Sequence, residues 1–286
     1  LIKRVNKILI LAAAAIWAAV FVLPDNKLHV VFCNVGQGDA ILITLKTTQI
    51  LVDGGPGTEV SGCLSRHMPF YDQRIEIMVL THPEADHMSG LSYVLKRYSV
   101  STFVSVSVSG EGVGYDELKK KLQESGISQQ DVEAGDRVRM SDLYFDIVWP
   151  SKEYLAENLN VLGAATNGAG LNTFSLTGIL KYGDFEVMLT GDGDSRIQGQ
   201  ELANGNIREV EVLKVPHHAG KEAVRADWLD RVSPELAVVS VGKNSYGHPR
   251  EEVIRLFSDR GIKILRTDLE GDIEIVSDGM KWGIKN

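Results

Sequence analysis

Short apolar runs alternate with polar, glycine-rich breaks along most of the chain. From Lys27 onward "LHVVFCNV", "AILITL" and "TQILVDGG" follow in quick succession, each of strand length and bounded by turn residues. The Gly-Gly after Asp53 marks a sharp stop. A helix over residues 59–68 leads to the strand "IEIMVLTH", and "MSGLSYVLKRY" sets Leu91, Val94 and Leu95 on one helical face. The strand "STFVSVSVS", the exposed helix "YDELKKKLQESG" and the strand "LYFDIVWP" complete the first half. Residues 151–172 have weak periodicity and many small residues. They read as a long loop, a length that favours a lid or binding role. The second half repeats the style of the first: "FSLTGILKY", "FEVMLTGD", a helix, "VEVLKVPHH", a helix, "ELAVVSVG", a helix, "GIKILRTD" and a final hairpin "GDIEIVSDGMKWGI". This order predicts an α/β (α+β) body with two sheets face to face and helices outside. No Pro-, Ser- or charge-rich linker divides residues 25–286, which read as one domain.

A different pattern precedes that body. Lys3, Arg4 and Lys7 lead into an uncharged apolar run, residues 8–23, which Pro24 and Asp25 end. As a helix those sixteen residues reach roughly 24 Å, slightly short of a hydrocarbon core of about 30 Å. Residues 1–24 are therefore expected to form a hydrophobic membrane-anchoring helix, with a secretory signal peptide as the alternative. No clean small-x-small cleavage site favours the second. Either reading leaves the basic flank in the cytoplasm and exports the body, so the protein is expected to be membrane-anchored or secreted. The chain opens on leucine, which fits a piece of a longer protein whose last membrane helix is this segment, after a channel domain.

With 286 residues, 44% hydrophobic and 24% charged, the composition is that of a globular protein with a sizeable core. The formal net charge is −8, and more negative without the basic N-terminal flank. So acidic a body excludes a generic nucleic-acid binder; any such contact must be local or metal-assisted. Cys33 and Cys63 fit no metal-binding spacing and read as two buried free thiols, with pairing in an oxidising compartment as the alternative.

Chemistry concentrates where apolar runs end. In "THPEADHMSG", residues 81–90, His82 and Glu84 stand two apart in an extended loop and can face one metal. Asp86 and His87, at the turn into the next helix, can serve a second; helix capping would account for Asp86 alone. In "MLTGDGD", Asp192 sits at a strand end where a carboxylate can bridge two cations, although Thr-Gly-Asp also makes ordinary turns. "LKVPHHAG" sets His217 beside His218, and adjacent side chains diverge. His217 is assigned to the metal and His218 to the substrate, the reverse remaining open. In "SVGKNSYGHPR", His248, with Asn244 or Tyr246 beside it, is a candidate ligand or a donor to a substrate oxygen. Five of the seven histidines lie in these turns, and only His29 and His67 elsewhere. Lys214, Lys221, Arg225, Lys243 and Arg250 flank the motifs as a modest positive edge, or as ordinary solvated surface. No aromatic ladder for stacking single-stranded bases is evident.

These residues resemble the metallo-β-lactamase superfamily, whose pattern is His-x-His-x-Asp-His after a strand. More closely, they are similar to the C-terminal hydrolase domain of ComEC/Rec2-type DNA-uptake proteins. "NVGQGDA" at 34–40, "DGG" at 53–55, "THPEADHMSG", "LNTFSLTG" at 171–178, "MLTGD" at 188–192, "LKVPHHAG" at 213–220 and "NSYGHP" at 244–249 carry that resemblance, in order, over most of the body. The departures are Asn34 for an aspartate, Glu84 for the family's Asp, and Ala219-Gly220 for Gly-Ser.

The resemblance implies a four-layer αββα sandwich with its site at one edge between the sheets, and Asp53 as a supporting residue instead of a ligand. Gln37 and Asp39 would line the site. It implies two divalent cations, zinc or manganese, on His82, Glu84, Asp86, His87, Asp192 and His217, with Asp86, His218, His248 and Asn244 acting on substrate. Imidazoles suit zinc, and added carboxylates shift the balance toward manganese. Two cations roughly 3.5–4 Å apart would activate a water and clamp both oxygens of an in-line displacement. The implied substrate is DNA, single strands favoured, outside the membrane. The rivals are hydrolysis of a small ester, thioester or lactam, and a non-catalytic metal-binding domain to which Asn34 and Glu84 lend support.

Overall fold

A computed structural model describes residues 6–7, 24–160, 163–166 and 170–285. The expected apolar helix over residues 8–23 lies outside the described residues, and no helix among them is long and apolar enough to cross a membrane. Among the described residues fifteen strands, numbered in chain order, build two sheets. The first runs β15 (Trp282–Lys285), β14 (Ile273–Ser277), β1 (Leu28–Phe32), β2 (Ile41–Leu45), β3 (Thr48–Val52), β4 (Arg74–Val79), β5 (Ser99–Ser105), β6 (Ser128–Asp131). The second runs β13 (Lys263–Arg266), β12 (Leu236–Val239), β11 (Val212–Lys214), β10 (Phe185–Leu189), β9 (Thr177–Tyr182), β8 (Leu143–Trp149), β7 (Arg137–Met140).

Strand periodicity decides the layering. Successive side chains on a strand point to opposite faces. Val30 and Phe32 of β1, Ile50 and Val52 of β3, Val187 and Leu189 of β10, and Val238 of β12 thus meet in one core between the sheets. Their neighbours Val31, Leu51 and Met78 turn outward against helices α1 (Glu59–His67), α3 (Leu91–Arg97) and α4 (Val113–Glu124). On the other side Met188, Leu213, Ala237 and Val239 pack against α7 (Ala226–Val232) and α8 (Glu251–Ser258). The short α2 (Ala85–Met88), α5 (Lys152–Asn158), α6 (Ser195–Ala203) and α9 (Thr267–Glu270) complete the helices among the described residues.

Three expectations need correction. Residues 151–172 are not a structureless loop, because α5 opens them, capped by the Ser151 side chain, and a 3-10 turn over Leu171–Phe174 closes them. Cys33 and Cys63 are not free thiols; they form a disulfide. Helix α1 lies over the end of β1 and brings the two Cα atoms to 5.8 Å, a proximity that a sequence separation of 30 could not reveal. Lys214 is not on a positive edge but wholly buried.

Candidate metal centre

The strands that matter are locally parallel, β3 with β4 and β10 with β11 and β12. Their carboxyl ends therefore reach one edge, and the loops leaving them carry the polar side chains. Beyond β3 comes Asp53, beyond β4 His82, beyond β10 Asp192 and beyond β11 the His217-His218 pair.

Three imidazoles are set in one tautomer by groups behind them. Asp53 is buried; its Oδ1 accepts from the Thr81 N–H at 2.8 Å and its Oδ2 from the Thr81 hydroxyl at 2.7 Å and from His87 Nδ1 at 2.8 Å. With its proton given to Asp53, the Thr81 oxygen is left to accept from His82 Nδ1 at 3.1 Å. His218 Nδ1 donates to the Ser240 carbonyl at 2.8 Å. Each ring is thus held by Nδ1 and presents Nε2, the arrangement that metal-binding histidines adopt. The Nε2 atoms of His82, His87 and His218 are buried and make no hydrogen bond among the described residues.

Carboxylates converge on the same point. Asp192 Oδ1 lies 3.3 Å from His87 Nε2 and Oδ2 lies 3.4 Å from His218 Nε2, which is also 3.4 Å from Asp86 Oδ2. Donor atoms of Asp86, His87, Asp192 and His218 all fall within 4.8 Å of one another. His82 Nε2 sits 3.9 Å from Glu84 Oε2 on the flank of this group. Burial opposes charge on His218, and the Asp192 carboxylate overcomes it, raising the pKa to about 9. Burial pushes the Asp86 carboxyl up, but the His218 imidazole outweighs that and brings it to about 2. Burial, with Asp192 and Asp86 nearby, raises Glu84. Burial, with the His87 imidazole beside it, holds His82 well below its usual range.

The chain belongs by its topology to a fold that can build such an edge, and a sequence comparison decides which. The family model of the metallo-beta-lactamase superfamily matches residues 33–243. The chain is a member of the metallo-β-lactamase superfamily. It is similar to ComE operon protein 3 of Bacillus subtilis, 26% identical over 262 residues that cover 84% of this chain and 32% of that protein. Recombination protein 2 of Haemophilus influenzae is 25% identical over 247 residues, 85% of this chain and 28% of its own length. The chain thus spans about a third of the curated relatives it matches. Among solved structures, the metallo-β-lactamase fold protein YhfI of Bacillus subtilis superposes with a TM-score of 0.56 at 10% identity, over 86% of this chain and 99% of that one. CmlA, a diiron β-hydroxylase from Streptomyces venezuelae, gives 0.52 at 14% identity, over 89% and 54%. Those two likenesses concern the fold alone.

Within this superfamily member the histidine pair divides in an informative way. His217, His218 and Ala219 all have positive φ, at 49°, 52° and 57°, a conformation costing about 1–2 kcal/mol per non-glycine residue. The tight left-handed turn sends His218 into the donor cluster and His217 to the rim, its Nε2 4.0 Å from Asp192 and its Nδ1 3.7 Å from Asp194. The structure therefore places His218 among the donors, where His217 was assigned. His248 stands half-buried at the same rim, its ring centroid 5.6 Å from that of His217. Burial and the two neighbouring imidazoles lower its pKa to about 4. Asn244 does not face the cluster with a free amide: Nδ2 donates to the Gly242 and His248 carbonyls, and Oδ1 accepts from the N–H groups of Tyr246, Gly247 and His248. It shapes the loop that presents His248. Of the basic residues, Arg225 is held by Asp227 and Lys214 lies inside the protein.

Three contributors lie inside the motifs quoted above but were given no role there. Thr81 and the Ser240 carbonyl fix imidazoles from strand ends that read as ordinary. Asn172, with its amide turned to satisfy its neighbours, donates to Glu84 Oε1 at 2.6 Å from the 3-10 turn.

Proposed function

We propose that this domain is a phosphodiesterase that takes two divalent cations and hydrolyses DNA outside the cytoplasmic membrane. The observation that carries the cation reading is the convergence of buried, unpartnered Nε2 atoms of His82, His87 and His218 with the unpartnered Asp192 Oδ1. Buried polar atoms left without partners are costly, and a cation would satisfy them together. Asp86, His87, Asp192 and His218 would hold one ion, and His82 with Glu84 would contribute to a neighbouring one. Charge argues for two. Lys214 neutralises Asp39, leaving the carboxylates of Asp53, Glu84, Asp86 and Asp192, which two dications would balance once they displace the protons on His87 and His218.

Bound there, divalent cations supply electrophilic charge at a phosphoryl oxygen. The chain's own residues do the rest. Asp53, Thr81 and Ser240 orient the imidazoles. His248, neutral at physiological pH, offers one N–H at the rim to a substrate oxygen on which negative charge develops. DNA as substrate is supported by the likeness to a competence protein, ComA of Neisseria gonorrhoeae, and to Recombination protein 2, both over most of this chain. Location outside the membrane is supported by the apolar run at residues 8–23 and by the Cys33–Cys63 disulfide, a bond that oxidising compartments favour.

The test uses purified protein stripped of metal and refilled with manganese or zinc, with labelled single- and double-stranded DNA beside a chromogenic phosphodiester. Metal-dependent cleavage that Asp86→Ala abolishes supports the proposal. Turnover of a lactam or thioester with none of the three would replace it by small-molecule hydrolysis. Cation binding without any turnover would leave a non-catalytic metal domain.

A further inference from the structure

We infer that Lys214 is a positioning residue of the cation site, an internal ammonium that joins the two sheets behind Asp192 and holds that carboxylate on the donor cluster. The inference rests on the cluster being a cation site and is independent of the substrate.

Lys214 is the last residue of β11 and has no exposed surface. Burying an ammonium group is expensive unless it is paired and hydrogen-bonded. All three of its partners belong to the site. Nζ donates to the Gly191 carbonyl at 2.8 Å, pairs closely with Asp39 Oδ2, and lies 3.6 Å from Asp192 Oδ1. Gly191 is the residue immediately before Asp192 and has a positive φ of 48°. Lys214 therefore holds Asp192 by a hydrogen bond to the peptide that carries it, with its ammonium also facing the carboxylate at 3.6 Å, beyond hydrogen-bond reach.

The third partner reaches across the sandwich. Asp39 lies in the loop between β1 and β2 of the first sheet, whereas Lys214 and Asp192 come from the second. The Asp39 N–H donates to the Asp86 carbonyl at 3.2 Å, and the Asp39 carbonyl accepts from Gly55 N–H at 2.7 Å. One ion pair thus connects the loop holding Asp86 and His87 to the loop holding Asp192. The cluster itself is split the same way, His82, Asp86 and His87 on one side and Asp192 and His218 on the other. Lys214 is the covalently fixed cation between the halves. It sets their spacing before any ion arrives.

A simple repulsive role would have the opposite sign, since a positive charge beside a cation site weakens binding. The test separates position from charge. Full-length wild type, Lys214→Met and the double variant Asp39→Asn/Lys214→Met are stripped of metal and titrated with manganese by calorimetry, and their melting is followed. Lys214→Met strands the buried Asp39 carboxylate, and its Tm falls by about 10 °C. The double variant removes one charge of each sign, recovers most of that loss and leaves the net charge of the site unchanged. It still binds manganese about 10–100-fold more weakly than wild type, as expected when the support of a ligand is lost. Should Lys214→Met not fold, the double variant carries the comparison. A double variant that binds manganese as tightly as wild type, or more tightly, overturns the inference. Wild type that binds neither manganese nor zinc overturns the cation-site reading itself, and the two failures are told apart by the wild-type titration.

Discussion

Asp53 stands directly behind His87, accepting its Nδ1–H at 2.8 Å while the opposite ring nitrogen faces Asp192 at 3.3 Å. The carboxylate fixes the ring and makes Nε2 a better donor. Asp53→Asn keeps the shape but loses the charge and can turn an amide N–H toward His87. Cation affinity is expected to fall by about 10–100-fold with the fold retained. Calorimetric titration with manganese, alongside far-UV circular dichroism, checks both halves of that statement.

Gly220 makes room for His248. A Cβ on Gly220 would lie 2.7 Å from His248 Nε2 and 3.0 Å from the His217 carbonyl. The backbone there has φ of −69°, which alanine adopts freely. Gly220→Ala is therefore expected to displace the His248 ring and lower turnover about tenfold, less than the roughly 100- to 10,000-fold of losing an acid–base group outright, while Tm changes little. Equal activity in the variant would remove His248 from the substrate-contacting residues.

Removing the cations should cost stability. A ligand held at about 100 times its Kd stabilises the fold by about 2.7 kcal/mol. A chelator is expected to lower Tm of the wild type and to leave that of Asp86→Ala nearly unchanged. Differential scanning calorimetry with and without chelator measures the contrast.

The Cys33–Cys63 bond closes a loop over a sequence separation of 30, worth about 3–4 kcal/mol in the loop-entropy account. Reduction, or Cys63→Ser, should lower Tm by about 10 °C. Melting under dithiothreitol with the Cys33→Ser/Cys63→Ser variant as baseline tests it, since the double variant should not respond to the reductant.

A charge cluster of His67, Asp272 and Glu274 contributes to pH dependence. His67 bonds to Asp272 at 2.9 Å, and this bond, with Glu274 nearby, raises its pKa to about 9. Burial pushes Asp272 up, but His67, the Asn34 N–H and Arg66 outweigh it and bring it to about 2. A raised histidine contributes stability that is complete below its unfolded pKa of about 6.5 and lost as pH climbs through the folded value; a lowered carboxylate contributes above its unfolded pKa of about 4 and loses it as pH falls. The cluster is expected to stabilise most between about pH 4 and 6.5. Urea unfolding across pH should show His67→Asn with a flatter alkaline limb than wild type.

The sequence carried the interior strands and the donor loops, but not everything that assembles them. Strands such as β1 and β10 announce themselves through apolar residues that both faces need. The edge strand β6, Ser128–Asp131, exposes every position and offers no such pattern. Its neighbour in sequence β7 is equally hard to see, since Arg137 and Arg139 alternate with half-buried Val138 and Met140. At the site, His82, Asp86, His87 and Asp192 could be singled out because imidazole and carboxylate at strand exits are unusual. Lys214 read as surface because a lysine at a strand end is ordinarily solvated, and its partner Asp39 lies far off in sequence, in the loop between β1 and β2 of the other sheet. Asn244 read as a substrate donor because nothing local reveals that five hydrogen bonds within its own loop use the amide. Long-range pairing was the missing information for Lys214, and the conformation of its own loop was the missing information for Asn244.

The division of the donor set between two sheets has a consequence for biogenesis. A chain that has formed only β1 to β6 owns His82, Asp86 and His87, which would make at best a weak, open chelate. Asp192 and His218 follow β10 and β11 of the second sheet, later in the sequence than those three residues, and the first sheet is itself completed only by β14 and β15 at the end. Under the proposed cation reading, tight retention would begin only after the two halves of the donor set have closed. In a metal-poor medium the newly made protein would linger in a loosely closed form exposed to proteolysis, so metal supply would set how much of it survives.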